Sequence, residues 1–372
     1  MRLLPGDVRL MISTTTDSLA KDWAIDDEVL QLRVWGTDLV YPLPVSDHRR
    51  LRVGVSPACE IQIHDPSSLT SREHAYLERV DRRWTIVDQS KNGLYLDDQQ
   101  CERFLLTPGR EIGLARYVTL VAESARTLAL REALARMIGW SAARADAIDQ
   151  ALRMLRMAAT GRAIFVLCGE PSLVPLAEEL HRLTRTERRP FVLCDPRRRT
   201  GSEDTASFTK CATDGLTAVA MARDGTVCID DQRRPRDLTA MLEELHRPGH
   251  TAQLMVLARN PRKADVYTPA PVVIPQLHSR RDELDRLVSE YEAEAVQRLG
   301  ITTLELTPAQ RSWIRERSSE TLPDIQTAAL RLVAIRHAGS LAGAAELLRI
   351  SHTSLSRWLE RRRLRADVLA AA

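Results

Sequence analysis

The sequence has little of what several protein classes require. Its six cysteines among 372 residues are scattered, with no C-x-x-C pair and no histidine at metal-ligand spacing. This distribution favours a reduced, cytoplasmic compartment over a disulfide framework or a zinc site. No apolar run approaches the roughly 18 residues of a membrane span, and the start MRLLPGDVRLMIS is too interrupted for a signal peptide. We therefore expect a cytoplasmic protein with no membrane partner, no metal and no cofactor.

Charge is nearly balanced along most of the chain. The formal net charge is +3, yet the stretch RISHTSLSRWLERRRLR near the end is markedly basic. Such an asymmetry indicates a polyanionic partner for one end of the protein. The length predicts two or three domains at about 100–200 residues each.

The first third of the chain carries short alternating segments such as CEIQIHD and RWTIVDQ, separated by turn residues. Alternation with period two at this spacing predicts an all-β sandwich. Asp81-Arg82 and Asn92-Gly93 are typical of hairpin turns.

An ordered series of motifs follows this pattern. The series consists of Gly54 at a strand end, Ser71-x-x-His74 in HDPSSLTSREH, Asp88-x-Ser90-x-Asn92-Gly93 in WTIVDQSKNG, and LLTPGREIGLA. It resembles the forkhead-associated (FHA) domain, a phosphothreonine-binding module whose phosphate site lies on loops at one end of a rigid sandwich. The resemblance implies that Ser71 and Arg72 contact the phosphate, that Asn92 contacts the ligand backbone, and that Gly54, His74 and Gly93 are structural.

Two positions depart from the family pattern. Val55 stands where the family usually has arginine, and Lys91 replaces a threonine. A lost charge-assisted hydrogen bond costs about 1.5–3 kcal/mol, of which Lys91 and Arg72 can restore part. We therefore add Lys91 to the phosphopeptide-binding set. The alternative is a sandwich that only packs or dimerises.

The N-terminal segment STTTDSLA offers Thr14, Thr15 and Thr16, with Asp17 close behind. We hypothesise that a Ser/Thr protein kinase modifies this tail and that the sandwich binds it in cis; a phosphothreonine in another protein is the other candidate ligand. The alternative is an ordinary polar tail.

The middle of the chain alternates apolar strands (AIFVLC, PFVLCD, TVCIDD, AQLMVLAR) with helical stretches. This order predicts a parallel sheet covered on both faces. The collinear phrases FVLCGEPSLVPLAEELHRL, DGTVCIDDQRRPRDL and VVIPQLHSRRDELDRL resemble the AAA+ domain of sigma-54-dependent activators.

The departures from that family fall on its chemistry. ATP hydrolysis needs a lysine on the phosphates, a Mg²⁺-binding hydroxyl and catalytic arginines. Val174 and Pro175 stand near the place of the lysine, Asp231 replaces a glutamate, and Gln326 replaces a sensor arginine. We expect no enzyme activity. Nucleotide binding without hydrolysis and an ATPase with unconventional residues are the alternatives.

The last 40 or so residues show three helical patterns, with Ser340 and Ser351 placed as N-caps. Gly339, Ala344-Ala345 and Leu348-Arg349-Ile350-Ser351 resemble a Fis-type helix-turn-helix, with Arg349 in place of a glycine. Its second helix would enter the major groove of double-stranded DNA. Leu355, Trp358 and Leu359 would face inward. The expected DNA-binding residues are His352, Thr353, Ser356 and Arg357, with Arg361, Arg362 and Arg363 on phosphates. The alternative is a solvated basic helix.

We thus predict a multidomain chain: a tail at 1–24, an all-β FHA sandwich at 25–124, a helical connector at 125–140, a degenerate α/β AAA+-like domain at 141–320, and an all-α helix-turn-helix at 321–372. The predicted function is a DNA-binding transcription regulator that senses phosphothreonine, working as a homodimer. The competing interpretation is a phosphopeptide-dependent adaptor without DNA binding.

Overall fold

The computed structural model describes residues 28–46, 50–160, 163–169, 173–185, 189–197, 209–247, 249–264, 267–268 and 270–363. The predicted phosphorylation sites Thr14, Thr15 and Thr16 lie outside these ranges. Within them, no helix is both long and apolar enough to cross a membrane.

The described part of residues 28–123 is a β-sandwich, as the alternation predicts. Its strands are β1 Gln31–Val34, β2 Val40–Pro42, β3 Arg50–Gly54, β4 Ile61–Gln62, β5 Ala75–Val80, β6 Arg83–Asp88, β7 Leu94–Leu96, β8 Gln99–Gln100, β9 Arg103–Leu105, β10 Glu111–Leu114 and β11 Val118–Glu123. Sheet A has the order β2-β1-β11-β10-β7-β8 and sheet B the order β4-β3-β5-β6-β9. Their inner faces bury one apolar cluster that includes Leu32, Leu77, Trp84, Ile86 and Leu120.

The turn signals have mixed outcomes. Asp81-Arg82 closes the β5–β6 hairpin with φ of +51° and +64°, which confirms the prediction for that pair. The hairpin prediction for Asn92-Gly93 is wrong, because the strands on either side, β6 and β7, belong to different sheets. Two further hairpins, which were not predicted from the sequence, have turns at Asp97-Asp98 and Ala115-Arg116. Both are pairs of non-glycine residues with positive φ.

Residues 125–273 supply a parallel sheet and its helices. The strands are β12 Phe165–Cys168, β13 Phe191–Cys194, β14 Thr209–Ala212, β15 Thr226–Asp230, β16 Gln253–Ala258 and β17 Val272–Val273, in the order β14-β13-β15-β16-β12-β17. The helices are α1 Ala125–Ile138, α2 Ala145–Ala159, α3 Val174–Thr184, α4 Gly215–Met221, α5 Leu238–Leu245 and α6 Pro261–Ala264. Alternate residues of β12 enter apolar clusters on opposite faces, which confirms a sheet covered on both sides.

The chain ends in helices α7 Leu284–Arg298, α8 Pro308–Arg317, α9 Leu322–Ala338, α10 Leu341–Leu347 and α11 His352–Arg361. Both predicted N-caps are confirmed: Ser340 Oγ accepts the Gly343 N–H at 3.1 Å and Ser351 Oγ accepts the Ser354 N–H at 3.1 Å. The apolar face of α11 is buried in a cluster that extends back to α1. The core is therefore continuous across the predicted boundary at residue 321.

Helix α2 crosses the outer face of sheet A. Its Asp149 pairs with Arg33 of β1, and its Arg153 Nε donates to Glu111 Oε1 of β10 at 2.6 Å. Gly36 follows β1 with φ of +71°, and a Cβ there would lie 2.7 Å from Asp146 Oδ1. Glycine is favoured here by the positive φ, a backbone conformation that L side chains rarely adopt. The sandwich and the α/β region are thus joined through charged groups on a sheet face.

Candidate functional site

Three loops that follow β3, β4 and β6 meet at one end of the sandwich. The first is tied to the second by two backbone hydrogen bonds, from Val55 N to Ser71 O at 3.2 Å and from Ser56 N to Arg72 O at 3.0 Å. A Cβ on Gly54 would lie 2.2 Å from Arg72 O. Glycine at position 54 therefore lets the Ser71-Arg72 segment lie directly against the end of β3.

The imidazole of His74 joins the second loop to the third. It is fully buried, accepts the Ser71 N–H at Nδ1 (3.1 Å), and lies 3.1 Å from Gly93 O at Nε2. These partners require a neutral ring with its proton on Nε2. Burial lowers the pKa of His74, which favours the same neutral form. The position of Ser71 thus depends on a side chain that itself is closed to solvent.

Asp65 organises the loop that leads to Ser71. Its carboxylate accepts the N–H groups of Ser67 at 2.8 Å, Leu69 at 3.1 Å and Thr70 at 2.7 Å. Burial opposes ionisation of Asp65, but hydrogen bonds from Ser67 and Thr70 outweigh it and hold the pKa below its usual range. Asp65 is not among the site residues predicted from the sequence, although Asp-Pro-Ser-Ser is a turn signal of the type in which aspartate accepts hydrogen bonds from nearby backbone N–H groups.

The residues predicted from the sequence to bind the phosphopeptide lie together on these loops. Ser71 is partly exposed, while Arg72, Lys91 and Asn92 are exposed. The Lys91 N–H donates to Ser71 Oγ at 3.3 Å, and Asn92 Nδ2 donates to Leu69 O at 2.7 Å. Among the described residues, the side chains of Arg72 and Lys91 have no acidic partner. Two unpaired cations beside a hydroxyl form a surface suited to a phosphate.

Gly93 and Val55 complete this end of the sandwich. Gly93 has φ of +88°, and its N–H donates to Ser90 Oγ at 2.7 Å. Val55, at the position where the resemblance expects arginine, is half-buried.

At the carboxyl edge of the parallel sheet, Gly169 and Asp231 contact other parts of the chain. A Cβ on Gly169, after β12, would lie 2.3 Å from Ile274 O. Asp231 Oδ1, after β15, accepts from Arg234 Nε at 2.9 Å and from the Tyr267 hydroxyl at 3.0 Å. Burial and Asp231 raise the pKa of Tyr267 to about 12. The Asp231 carboxylate is thus engaged by two side chains of the same chain.

Gln326, compared with a sensor arginine in the sequence analysis, lies on α9. Gln326 Nε2 donates to Glu294 Oε1 at 3.0 Å. Glu170, Pro171 and Ser172 of the loop after β12 lie outside the described residues. Within the described ranges, no three metal-ligating side chains stand close enough together to hold an ion.

Helix α11 exposes most of the residues selected for DNA binding. The exposed residues are His352, Thr353, Arg357, Arg361 and Arg363, and Ser356 is partly exposed. Arg362 differs, because its Nη2 pairs with Asp324 Oδ1 at 2.8 Å and its Nε donates to Ser318 Oγ at 3.3 Å. Arg349, in the turn before the helix, adopts φ of +54°.

The comparisons with known proteins concern the sandwich. The family model of the FHA domain matches residues 51–115. The N-terminal FHA domain of Rad53p from S. cerevisiae, solved with a phosphothreonine peptide, is 20% identical over 26% of this chain and 94% of its own, with a TM-score of 0.23. FHA-1 of Mycobacterium tuberculosis Rv1747 is also 20% identical, over 26% of this chain and 98% of its own, with a TM-score of 0.22.

The Slr1951 protein of Synechocystis sp. is 24% identical over 25% of this chain and 93% of its own, with a TM-score of 0.22. The comparison with curated proteins gives no match. The family match covers the strands and loops from β3 to the end of β10, which carry Gly54, Ser71, His74 and Asn92. The β-sandwich of this chain is therefore an FHA domain.

Proposed function

We propose that this protein binds phosphothreonine peptides through its FHA domain and couples that binding to DNA recognition by its C-terminal helices. The observation that carries the first half is the group formed by Ser71, Arg72 and Lys91, in which a hydroxyl lies beside two unpaired cations at the end of an FHA sandwich. Asn92, on the same loops, would hold the ligand backbone.

A phosphothreonine ligand suits this surface on electrostatic grounds. A phosphate carries about −1.5 to −2 charges near neutral pH and three acceptor oxygens. The Arg72 and Lys91 side chains have only hydrogen-bond donors, and the Ser71 hydroxyl can act as a donor. Each can therefore donate a hydrogen bond to one of the phosphate oxygens. The ligand is a phosphorylated partner protein or the tail that contains Thr14, Thr15 and Thr16.

The DNA half of the proposal is supported by α10 and α11. The apolar face of α11 is buried through Leu355, Trp358 and Leu359, so its polar face is outward, with His352, Thr353 and Arg357 exposed. A helix presented in this way can enter a major groove with its N-terminal residues on base edges. A homodimer would place two such helices on a rough palindrome.

The α/β region would act as a scaffold of the AAA+ type that has no ATPase activity. Two observations support this: the apolar residues near the expected lysine position, and the engagement of Asp231 by Arg234 and Tyr267. Because fold stability depends on buried strands and not on phosphate-binding loops, such a scaffold can outlast its chemistry.

Calorimetry on the full chain tests the first half. A peptide of residues 10–20 phosphorylated on Thr14 and a degenerate phosphothreonine library are compared with their unphosphorylated forms. We expect binding only to phosphorylated peptides and its loss in Ser71→Ala, with Ser56→Ala as a matched control on the neighbouring loop. Equal binding of both peptide forms would contradict phosphate recognition.

Fluorescence anisotropy with duplex DNA tests the second half. A transcription regulator should bind duplexes with a steep salt dependence, and Arg357→Ala should weaken that binding. Binding of phosphopeptide without any binding of DNA would establish the adaptor interpretation. Turnover of ATP by the full chain would contradict the inactive scaffold.

A further inference from the structure

A second cationic group lies between α9 and the end of α11. The guanidinium carbon of Arg331, on α9, is 4.7 Å from the ring centre of Trp358, and that of Arg362 is 5.2 Å from the same ring. Arg361 is the neighbour of Arg362 in the chain. Two arginines thus contact one tryptophan, and Arg361 is near enough to act electrostatically on Arg331.

The charges in this group do not balance within the described residues. Arg362 has Asp324 as its partner at 2.8 Å, whereas Arg331 and Arg361 have no acidic partner in the part of the chain that the structure describes. Arg331 is half-buried, so its charge is poorly compensated by water. Burial together with Arg362 and Arg361 lowers the pKa of Arg331 to about 10, which is the direction that unrelieved repulsion produces.

Trp358 adds an unused donor. Its indole is 97% buried, at 3% relative exposure, and its Nε1 has no hydrogen-bond acceptor in the described structure. Because this donor is closed to solvent, Trp358 contributes by holding the Arg331 guanidinium and not by bonding the ligand. A guanidinium stacked on a ring still presents its N–H groups at its rim, so Arg331 can donate to an anion while it keeps its contact with Trp358.

We propose that Arg331, held against the Trp358 ring and with Arg361 nearby, binds a phosphate of the DNA backbone that flanks the groove entered by α11. This inference rests on the proposed DNA binding and assigns a phosphate contact to α9, outside the helix-turn-helix. The ligand class follows from the chemistry: planar guanidinium groups match phosphate oxygens in a bidentate manner, and a duplex held by α11 carries phosphates on either side of the groove.

One opposing effect is small. The C-terminal end of α11 carries a partial negative charge that disfavours an anion there. A helix terminus contributes less than one charge-assisted hydrogen bond, and here two uncompensated guanidinium groups face the anion. The arginines therefore decide the sign of the field.

The test uses the full chain, a mixed-sequence duplex of about 30 base pairs and fluorescence anisotropy across a range of salt concentrations. Arg331→Gln should weaken binding roughly tenfold at the lowest salt and reduce the slope of log K against log salt by about 0.9, the value of one phosphate contact. Arg331→Lys should keep most of the slope. Circular dichroism melting checks that each variant is folded.

The matched control is Arg286→Gln on α7. Arg286 also stacks on a tryptophan, with its guanidinium carbon 4.1 Å from the Trp140 ring centre, but it does not belong to the group around Trp358. Arg286→Gln should leave unchanged both the affinity for DNA and the slope of log K against log salt. An unchanged slope in Arg331→Gln, with DNA binding intact, would overturn the inference.

Inorganic phosphate separates this inference from the proposed function. Phosphate at low ionic strength should raise the melting temperature of the wild type and of Arg286→Gln more than that of Arg331→Gln, because the Ser71 surface is common to all three proteins. If the wild type bound no duplex yet showed this Arg331-dependent shift, DNA recognition would fail, the backbone assignment would fall with it, and the site would belong to another phosphorylated molecule. A wild type without any phosphate shift and without an Arg331 effect on DNA would overturn the anion site itself.

Discussion

Arg33 and Asp149, which are 116 residues apart in the chain, form a bidentate ion pair in which both side chains are 1% exposed. Arg33 Nε also donates to Glu123 Oε1 at 2.7 Å, and Asp149 Oδ2 accepts the Gly36 N–H at 2.7 Å. One arginine thus satisfies two carboxylates, one within sheet A and one on α2. The FHA domain is held to the α/β region by a buried charge network.

Asp149→Ala should therefore destabilise the whole molecule. Removing one partner leaves a buried guanidinium short of a counter-ion, which costs about 3–5 kcal/mol. Urea unfolding followed by circular dichroism measures the loss. Asp38→Ala is the control, because Asp38 is 73% exposed in its pair with Arg131, and removing it should cost less than about 1 kcal/mol. Equal losses in the two variants would contradict the role given to the buried network.

Val55→Arg should strengthen phosphothreonine binding. Val55 N is bonded to Ser71 O, so an arginine at this position would start from the backbone beside Ser71. A charge-assisted hydrogen bond contributes about 1.5–3 kcal/mol, which is roughly tenfold or more in affinity, and calorimetry measures it. Val80→Arg is the matched control, since Val80 is exposed at the opposite end of β5. A comparable gain from Val80→Arg would assign the effect to net charge.

His181 should make the α/β region sensitive to acid. Its Nδ1 lies 2.8 Å from Thr226 Oγ1 and its Nε2 lies 3.0 Å from Arg189 O. Burial, with a smaller contribution from Arg185, lowers its pKa to about 4. The ring is neutral when folded but takes up a proton near pH 6.5 when unfolded. The stability is therefore complete above pH 6.5 and is lost as the pH falls toward 4.

The matching experiment compares urea unfolding at pH 7.5 and 4.5. The wild type should lose roughly 2–3 kcal/mol more than His181→Gln across this interval, at about 1.4 kcal/mol for each unit of pKa difference. His337→Gln, at an exposed position, should retain the pH dependence of the wild type. If His181→Gln did so too, another group would be responsible.

Arg349→Gly should stabilise the C-terminal helices. Arg349 has φ of +54°, a conformation in which a residue with a side chain is strained by about 1–2 kcal/mol. Glycine removes this strain but loses roughly 0.5–1 kcal/mol through its greater backbone entropy in the unfolded chain. The expected net gain is up to about 1 kcal/mol, measured by thermal unfolding. Glu346→Gly, inside α10, should have the opposite sign and cost about 1 kcal/mol. A loss in both variants would show that the Arg349 side chain itself stabilises the turn.

The extent to which sequence predicts this structure depends on how local the signal is. The alternation in RWTIVD predicts β6 because one face of that strand is buried, and Ser340 and Ser351 predict helix starts because a cap acts within three residues. The hairpin prediction at Asn92-Gly93 was wrong because a turn signal does not specify which sheet the next strand joins.

The buried network lay beyond local reasoning. Arg33 alternates with apolar residues as an exposed strand residue would, and nothing near it in the sequence indicates that α2 covers it. Asp65 is a different case, because its four acceptor contacts with Ser67, Leu69 and Thr70 are local and the Asp-Pro-Ser-Ser turn signal could have identified it.

The glycine at position 36 limits how this FHA domain can be exchanged with others in evolution or in protein engineering. Because position 36 has φ of +71°, which L side chains rarely adopt, a donor domain should carry glycine there as well as a cation at position 33 to meet Asp149. Recombination that joined the sandwich of another protein at residue 124 would leave an unpaired acid on α2. The two units are therefore expected to be inherited together, and a functional hybrid should require a cut after α2.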